Sequence, residues 1–182
     1  MERHNAPTRR VRYAVAMSLD GYIAGLHGEF DWIVMDPDID FAGAFNDFDT
    51  VLMGRKTYDM MRGQSGPEMP GVTSFVVSRT LQQKDCVGVT VARDPVELLE
   101  SLRKESGKDI WLFGGGSLFR SLLDLGLVDS VEVAIVPVLL GGGIPLLPTP
   151  SARATLRLQK HKVYPKTGTV SLEYAVARYR FG

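Results

Sequence analysis

Cysteine is almost absent from this sequence of 182 residues, and metal-binding patterns are missing with it. Cys86 is the only cysteine, which excludes an intrachain disulfide framework and a zinc site built from cysteines. The histidines His4, His27 and His161 are far apart and show no metal-ligand spacing. We therefore expect a protein of a reducing compartment with no bound metal.

The sequence also lacks an excess of either charge, since 21 Lys and Arg balance 21 Asp and Glu. No global field favours a nucleic acid or an anionic membrane, so any anion site must be built locally. No apolar run approaches the roughly 18 residues of a membrane span. The run after Arg9-Arg10 is too short for a twin-arginine signal, and no small-residue cleavage site follows it. The expectation is a cytoplasmic protein without nucleic-acid or membrane partners.

The order of apolar segments predicts one α/β domain over residues 1–182, of which residues 1–9 are a flexible polar arm. Strands alternate with helical patterns through most of the chain, which is typical of a parallel sheet. Two polar-alternating strands around a turn, Leu156–Tyr164 and Val170–Tyr179, predict a C-terminal hairpin. The predicted fold is a mostly parallel central sheet with an antiparallel C-terminal hairpin.

Three glycines, Gly114 to Gly116, stand between a predicted strand and a predicted helix. The apolar run Ile110–Phe113 indicates a buried strand, and leucines at helical spacing follow from Leu118. A strand, a glycine turn and a helix place free N–H groups and a positive helix end against a phosphate. A Cβ atom there would block the close approach of a diphosphate. A tight turn without a ligand is the alternative interpretation.

Two more strand ends carry groups suited to an anion. The run Gly54-Arg55-Lys56-Thr57 puts two cations and a hydroxyl into the first turn of a helix. Cations oppose the dipole at a helix N-terminus, so they fit this position better when they face a bound polyanion than as solvated charges. Ser78-Arg79-Thr80 follows the next predicted strand. Because ligands gather at the carboxyl ends of strands in α/β sheets, the three turns together predict a phosphate site.

Four segments, in their order and spacing, resemble the dihydrofolate reductase superfamily from about Val11 to Tyr179. A further run is similar to the branch that holds the reductase domain of the bifunctional riboflavin-biosynthesis deaminase–reductase, although no deaminase zinc motif is present. The resemblance implies a three-layer fold with helices on both faces of the sheet. The segments are Met17–Ala24, Met53–Tyr58, Val77–Arg79 and Phe113–Leu118, and the further run is Gly126–Asp129 with Pro137–Leu146.

The resemblance implies that the cofactor is NADPH. Gly54–Thr57 match the family's first cofactor-phosphate turn, and Gly114–Leu118 match the diphosphate turn. Ser78 and Arg79 match the site that reads the adenosine 2′-phosphate, which NADH lacks. Loop 19–25 would lie over the nicotinamide. The cofactor-binding residues implied are Ala16, Ile23, Gly54, Arg55, Lys56, Thr57, Ser78, Arg79, Phe113, Gly114, Gly115, Gly116, Ser117 and Leu118.

Two carboxylates are candidates for catalytic handling of a proton. A helix predicted from Asp36 to Phe48 would carry Asp38 where dihydrofolate reductases have the carboxylate that hydrogen-bonds the pterin. Asp20 matches an acid that faces the substrate in the riboflavin-type branch. Each has a structural alternative, Asp38 as an acid at a helix N-terminus and Asp20 as a turn former.

The sequence therefore predicts an NADPH-dependent oxidoreductase that transfers a hydride to a pyrimidine- or pteridine-like heterocycle. The resemblance relates it to the 5-amino-6-(5-phosphoribosylamino)uracil reductase of riboflavin biosynthesis. The alternatives are a true dihydrofolate reductase, disfavoured because Phe119 stands where those enzymes commonly carry Tyr, and a non-catalytic NADPH-binding protein. The apolar run Val133–Leu140 is the surface expected for a homodimer.

Overall fold

The computed structural model describes residues 8–63 and 69–177, and its centre is a sheet of eight strands. Two further short strands pair with each other beside this sheet. The strands are β1 Val11–Ser18, β2 Tyr22–Ala24, β3 Phe48–Gly54, β4 Thr73–Val77, β5 Thr90–Ala92, β6 Asp109–Gly114, β7 Ser130–Val136, β8 Ile144–Pro145, β9 Leu156–Tyr164 and β10 Thr169–Val176. The helices are α1 Phe41–Phe45, α2 Arg55–Arg62, α3 Pro95–Leu102 and α4 Gly116–Asp124.

The order of strands in the large sheet is β5-β4-β3-β6-β1-β7-β10-β9. The first six strands in this order pair in parallel, whereas β10 is antiparallel to both β7 and β9. The prediction of a mostly parallel sheet with an antiparallel C-terminal hairpin is confirmed. Tyr179 of the predicted last strand lies outside the described residues.

Apolar side chains cover both faces of the sheet, which gives the three layers. On one face, α3 and α4 pack on β1, β6 and β7, and Tyr13 stacks on Phe119 with ring centroids 3.9 Å apart. On the other face, Tyr58 of α2 packs on β3 and β4. No helix in residues 8–63 or 69–177 combines the length and apolar character needed to cross a bilayer.

The predicted helix from Asp36 to Phe48 is wrong at both ends, since α1 covers only Phe41–Phe45. Its start is fixed by Asp40, whose carboxylate accepts a hydrogen bond from the N–H of Gly43 at 2.8 Å. Its end is fixed by the sheet, because Phe48 is buried and begins β3. Strand pairing and burial override the helical spacing of the phenylalanines.

The predicted polar arm differs from the structure at Arg9, whose side chain is only 4% exposed. Its guanidinium binds Asp49, donates to the Thr50 hydroxyl at 2.6 Å and donates to the Lys108 carbonyl at 2.7 Å. A buried arginine is tolerated because its donors are paired. Residues 1–7 of the predicted arm lie outside the described residues.

The apolar run Val133–Leu140 does not form the continuous surface expected for a homodimer. Its first half, Val133–Val136, belongs to β7, which lies inside the sheet between β1 and β10. Val133 and Val136 are buried, whereas Leu139 is 70% exposed. The homodimer stays a prediction, without the support of this run.

Candidate active site

The three turns predicted to bind phosphate lie side by side at one edge of the sheet. They follow β4, β3 and β6, which are neighbours in that order. The register pairs Met53 with Gly114 and Gly54 with Val77, so the three strands end at nearly the same level. With adjacent strands about 4.8 Å apart, the outer two turns are separated by roughly 10 Å. This span suits a ligand with more than one phosphate.

The two helices that begin at these turns have no side-chain cap. α2 starts after Gly54 and α4 after Gly115, and neither N-cap residue makes a side-chain hydrogen bond. By contrast, α1 and α3 are capped by the carboxylates of Asp40 and Asp94. Backbone N–H groups in the first turns of α2 and α4 are therefore available to an anion.

Glycine brings the two uncapped turns into close contact. A Cβ atom on Gly54 would lie 3.6 Å from the Gly114 carbonyl oxygen. Gly114 has φ +141°, a conformation that side chains rarely adopt, and a Cβ there would find only Thr57 Oγ1 within 4 Å, at 3.9 Å. Space therefore remains open between Gly114 and the first turn of α2.

Cationic side chains belong to the turns after β3 and β4. Lys56 and Arg79 are exposed, and their side chains have no hydrogen bond or ion pair within the described part of the chain. Arg55 donates to the Thr80 hydroxyl at 2.6 Å, which ties α2 to the turn after β4. Ser78 is buried there and accepts a hydrogen bond from the N–H of Leu81 at 3.1 Å. The turns form one connected group with two unpaired positive charges.

A cleft of about 1080 Å³ opens beside these turns. Ser78 and Arg79 lie in the adjacent turn, outside the lining, and the two predicted catalytic residues, Asp20 and Asp38, are also outside it. The predicted cofactor-binding residues that line the cleft are Ala16, Ile23, Gly54, Arg55, Lys56, Thr57, Phe113, Gly114, Gly115, Gly116, Ser117 and Leu118.

Beyond the turns, the cleft has a floor of small side chains and an aromatic wall. Ala14 and Ala16 of β1 and Ala134 of β7 line it, and the register sets Ala16 directly opposite Ala134. Trp111 packs on Phe45 with centroids 5.0 Å apart and donates a hydrogen bond to the Ala14 carbonyl at 3.0 Å. A shallow floor beside aromatic rings suits a planar heterocycle.

An ion pair, absent from the residues predicted from the sequence, lies at the end of this floor. Arg12 donates from Nε and Nη2 to the two carboxylate oxygens of Glu132, at 2.6 and 2.8 Å. Arg12 also donates to Asp47 at 3.1 Å and lies over the Phe48 ring, 4.6 Å from its centroid. Burial alone would lower the pKa of Arg12, but the hydrogen bonds that Arg12 donates to Glu132 and Asp47, with the nearby negative charges of Glu132 and Asp109, hold its pKa well above the ordinary value. One signal in the sequence was available, an acidic residue inside the apolar strand S-V-E-V-A-I-V.

The structure gives Asp20 a role in holding a loop. Its carboxylate accepts hydrogen bonds from the Ser18 hydroxyl at 2.6 Å and from the N–H groups of Leu140 and Gly141 at 3.1 and 2.7 Å. The bonds from Ser18, and then from Gly141 and Leu140, lower the pKa of Asp20. A carboxylate so held stays ionised near neutral pH and is a poor proton donor.

Replacing Asp20 with alanine is expected to loosen this loop. Amide hydrogen exchange at Leu140 and Gly141 should become faster, on the order of tenfold, because their acceptor is lost. Asp31→Ala is the matched control, since Asp31 is exposed and has no partner in the described part of the chain. Unchanged exchange in Asp20→Ala would show that the carboxylate does not hold the loop.

Asp38 lies outside α1 and away from the cleft lining, contrary to the predicted helix position. Its side chain is 51% exposed and bonds to Lys166 Nζ at 2.8 Å. The adjacent Asp36 is buried and accepts from the N–H and hydroxyl of Thr167 at 3.1 and 2.8 Å. The two acids anchor this segment to the tip of the C-terminal hairpin. The structure therefore does not bring Asp38 to the place that a proton donor to the cleft would occupy.

The order of the strands and the placement of the helices define the class of dihydrofolate reductase-like folds. The dihydrofolate reductase of Enterococcus faecalis, solved with NADP(H) and RAB-propyl, superposes with a TM-score of 0.69 at 18% identity. The superposition covers 93% of this chain and 97% of that chain.

Within this class, the chain belongs to the RibD C-terminal domain family, whose model matches residues 9–170. The uncharacterized protein YyaP of Bacillus subtilis (strain 168) is 35% identical over 94% of this chain and 97% of that protein. A crystal structure from Shewanella sp. PV-4, named as a candidate riboflavin biosynthesis protein, has a TM-score of 0.79 and 26% identity. It covers 93% of this chain and 99% of its own. The predicted family is confirmed.

Proposed function

We propose that this protein is an NADPH-dependent reductase that transfers a hydride to a pyrimidine- or pteridine-like heterocycle. The observation that carries the proposal is the meeting of three anion-ready turns with an aromatic-walled cleft at one edge of the sheet. Membership of the RibD C-terminal domain family supports it. NADPH supplies the hydride when it is bound, and the protein supplies position and environment.

The residues at the turns fit a dinucleotide that carries an additional phosphate. The uncapped N-termini of α2 and α4 offer N–H groups to the diphosphate, and the space beside Gly114 lets it approach the backbone. Arg79 has a guanidinium without a partner among the described residues, and beside it Ser78 orders the turn after β4. This pair would hold the 2′-phosphate, since arginine binds phosphate through two parallel hydrogen bonds.

The remaining residues of the cleft would orient the two reactants and exclude water. Ala16 and Ala134 leave room for planar rings above the sheet. Ile23 lines the cleft from β2, which pairs with β8. Closing a reacting pair away from water strengthens the electrostatic interactions that position it. We assign to β2 and its loop this covering role.

The test mixes the purified protein with NADPH and one compound at a time from a set of aminopyrimidines and dihydropteridines. Oxidation of NADPH is measured as a decrease in its absorbance. Turnover with at least one of them, dependent on the protein, is the expected result. Tight NADPH binding without oxidation by any compound would favour a non-catalytic NADPH-binding protein instead. Absence of NADPH binding would contradict both.

A further inference from the structure

We propose that Glu132, held in place by Arg12, binds the hydrogen-bond-donor edge of the substrate ring and selects a heterocycle that carries an amino group there. The inference rests on the proposed function, because it concerns the substrate half of the same cleft. Among the described residues that line the cleft, Glu132 is the one acidic side chain. It is therefore the carboxylate that a bound ring would meet.

Glu132 has an acceptor position to spare. Its Oε1 atom accepts from Arg12 Nε at 2.6 Å and from the Ser130 hydroxyl at 2.8 Å. Within residues 8–63 and 69–177, its Oε2 atom accepts only from Arg12 Nη2, at 2.8 Å. A carboxylate offers about four acceptor positions, two on each oxygen, so Oε2 retains one. The side chain is 17% exposed, and Glu132 is among the residues that line the cleft.

Arg12 fixes the direction in which the carboxylate points. The guanidinium donates hydrogen bonds to both carboxylate oxygens of Glu132 and to Asp47. It also lies over the Phe48 ring. A two-point arginine–carboxylate pair restricts rotation of both side chains. Glu132 thus presents Oε2 in one orientation, as recognition of one edge of a ring requires.

The floor beside Glu132 has the dimensions of a small ring system. Glu132 lies opposite Ala14, and Ala134 lies opposite Ala16 in the same register. Two residues along these strands span roughly 7 Å, comparable with the length of a two-ring heterocycle. A ring lying on the alanines therefore reaches Glu132 with one edge while its other end faces the glycine turns.

The charges at this end of the cleft disfavour an anionic substituent. Arg12 is engaged by Glu132 and Asp47, so it offers no free charge to a phosphate. The other side chains of the described lining with a fixed positive charge are Arg55 and Lys56, which belong to the first turn of α2. The edge that meets Glu132 therefore carries N–H donors and no anionic group.

The experiment compares two fluorescent probes, pterin and lumazine, on the protein saturated with NADP⁺. Lumazine carries a carbonyl oxygen where pterin carries its amino group, so only pterin offers that donor to a carboxylate. We expect wild-type protein to bind pterin at least tenfold more tightly than lumazine. The variant Glu132→Gln should lose this preference and leave NADPH affinity unchanged.

Glu173→Gln is the matched control. Glu173 lies directly opposite Glu132 on β10, pairs with Lys160 at 3.5 Å, and is outside the cleft lining. This variant should keep the preference for pterin. Because the preference is first measured on the wild type, the test does not depend on the stability of Glu132→Gln.

Equal affinity for the two probes, or binding of neither, on wild-type protein that binds NADPH would overturn the inference and leave the proposed cofactor intact. If Asp38→Asn loses the preference for pterin and Glu132→Gln keeps it, the carboxylate that binds the amino group is Asp38 and the inference about Glu132 is wrong. Failure of NADPH itself to bind would instead contradict the proposed function. The two failures are thereby distinguished.

Discussion

Replacing Gly114 with alanine is expected to weaken NADPH binding by about 2–3 kcal/mol, or roughly 30- to 150-fold. Two effects add in this direction. The residue has φ +141°, which strains any side chain, and the new Cβ would enter the open space beside Thr57 Oγ1. That space is where we place the diphosphate. Isothermal titration of the variant with NADPH measures the effect directly.

Gly126→Ala is the control for backbone strain. Gly126 also has a positive φ, +67°, and nothing lies within 4 Å of the Cβ it would gain. It follows the end of α4 and is not among the described residues that line the cleft. The control should lower the free energy of unfolding and keep its NADPH affinity. If Gly114→Ala binds NADPH as tightly as the wild type does, the diphosphate does not bind at this turn.

Replacing Arg79 with alanine is expected to cost NADPH about 1.5–3 kcal/mol of binding free energy, roughly 10- to 150-fold, and to affect NADH much less. The side chain is exposed and unpaired in the described part of the chain, at the turn beside α2. The variant loses the hydrogen bonds that Arg79 would donate to the 2′-phosphate of NADPH. NADH has no 2′-phosphate, so its binding does not depend on these bonds. Parallel titrations with the two cofactors measure the difference.

Lys104→Ala controls for the loss of one positive charge. Lys104 is exposed and precedes β6, whereas the glycine turn follows the end of β6. It should change the affinity for both cofactors little, because an exposed and distant charge is screened by salt. An equal loss of NADPH and NADH affinity in Arg79→Ala would exclude the assignment to the 2′-phosphate.

Local patterns in the sequence were sufficient to predict the turns of the candidate site. A buried strand, glycines and the start of a helix are neighbours in the chain, so Gly54 and Gly114 could be assigned without tertiary information. That the turns adjoin follows from the strand order, which alternating strands and helices indicate only in outline. The same local information failed at Phe48, where pairing with Asp109 across the sheet decides the structure.

The polar end of the cleft could not be predicted from local sequence, because its partners are distant. Arg12 and Glu132 are separated by 120 positions, and only the pairing of β1 with β7 brings them together. The role of Asp20 could not be predicted for the same reason, since its partners Leu140 and Gly141 lie on another loop. The sequence alone does not distinguish a turn carboxylate that transfers a proton from one that accepts hydrogen bonds from backbone N–H groups.

The NADPH site is tested by titrating the purified protein with NADPH and with NADH and following tryptophan fluorescence. Trp111 lines the cleft and stands three residues before Gly114, so it should report on a ligand at the glycine turn. We expect saturable quenching by NADPH, with NADH bound at least about tenfold more weakly. Binding of neither cofactor would contradict this expectation, and the three turns would then be structural connections alone.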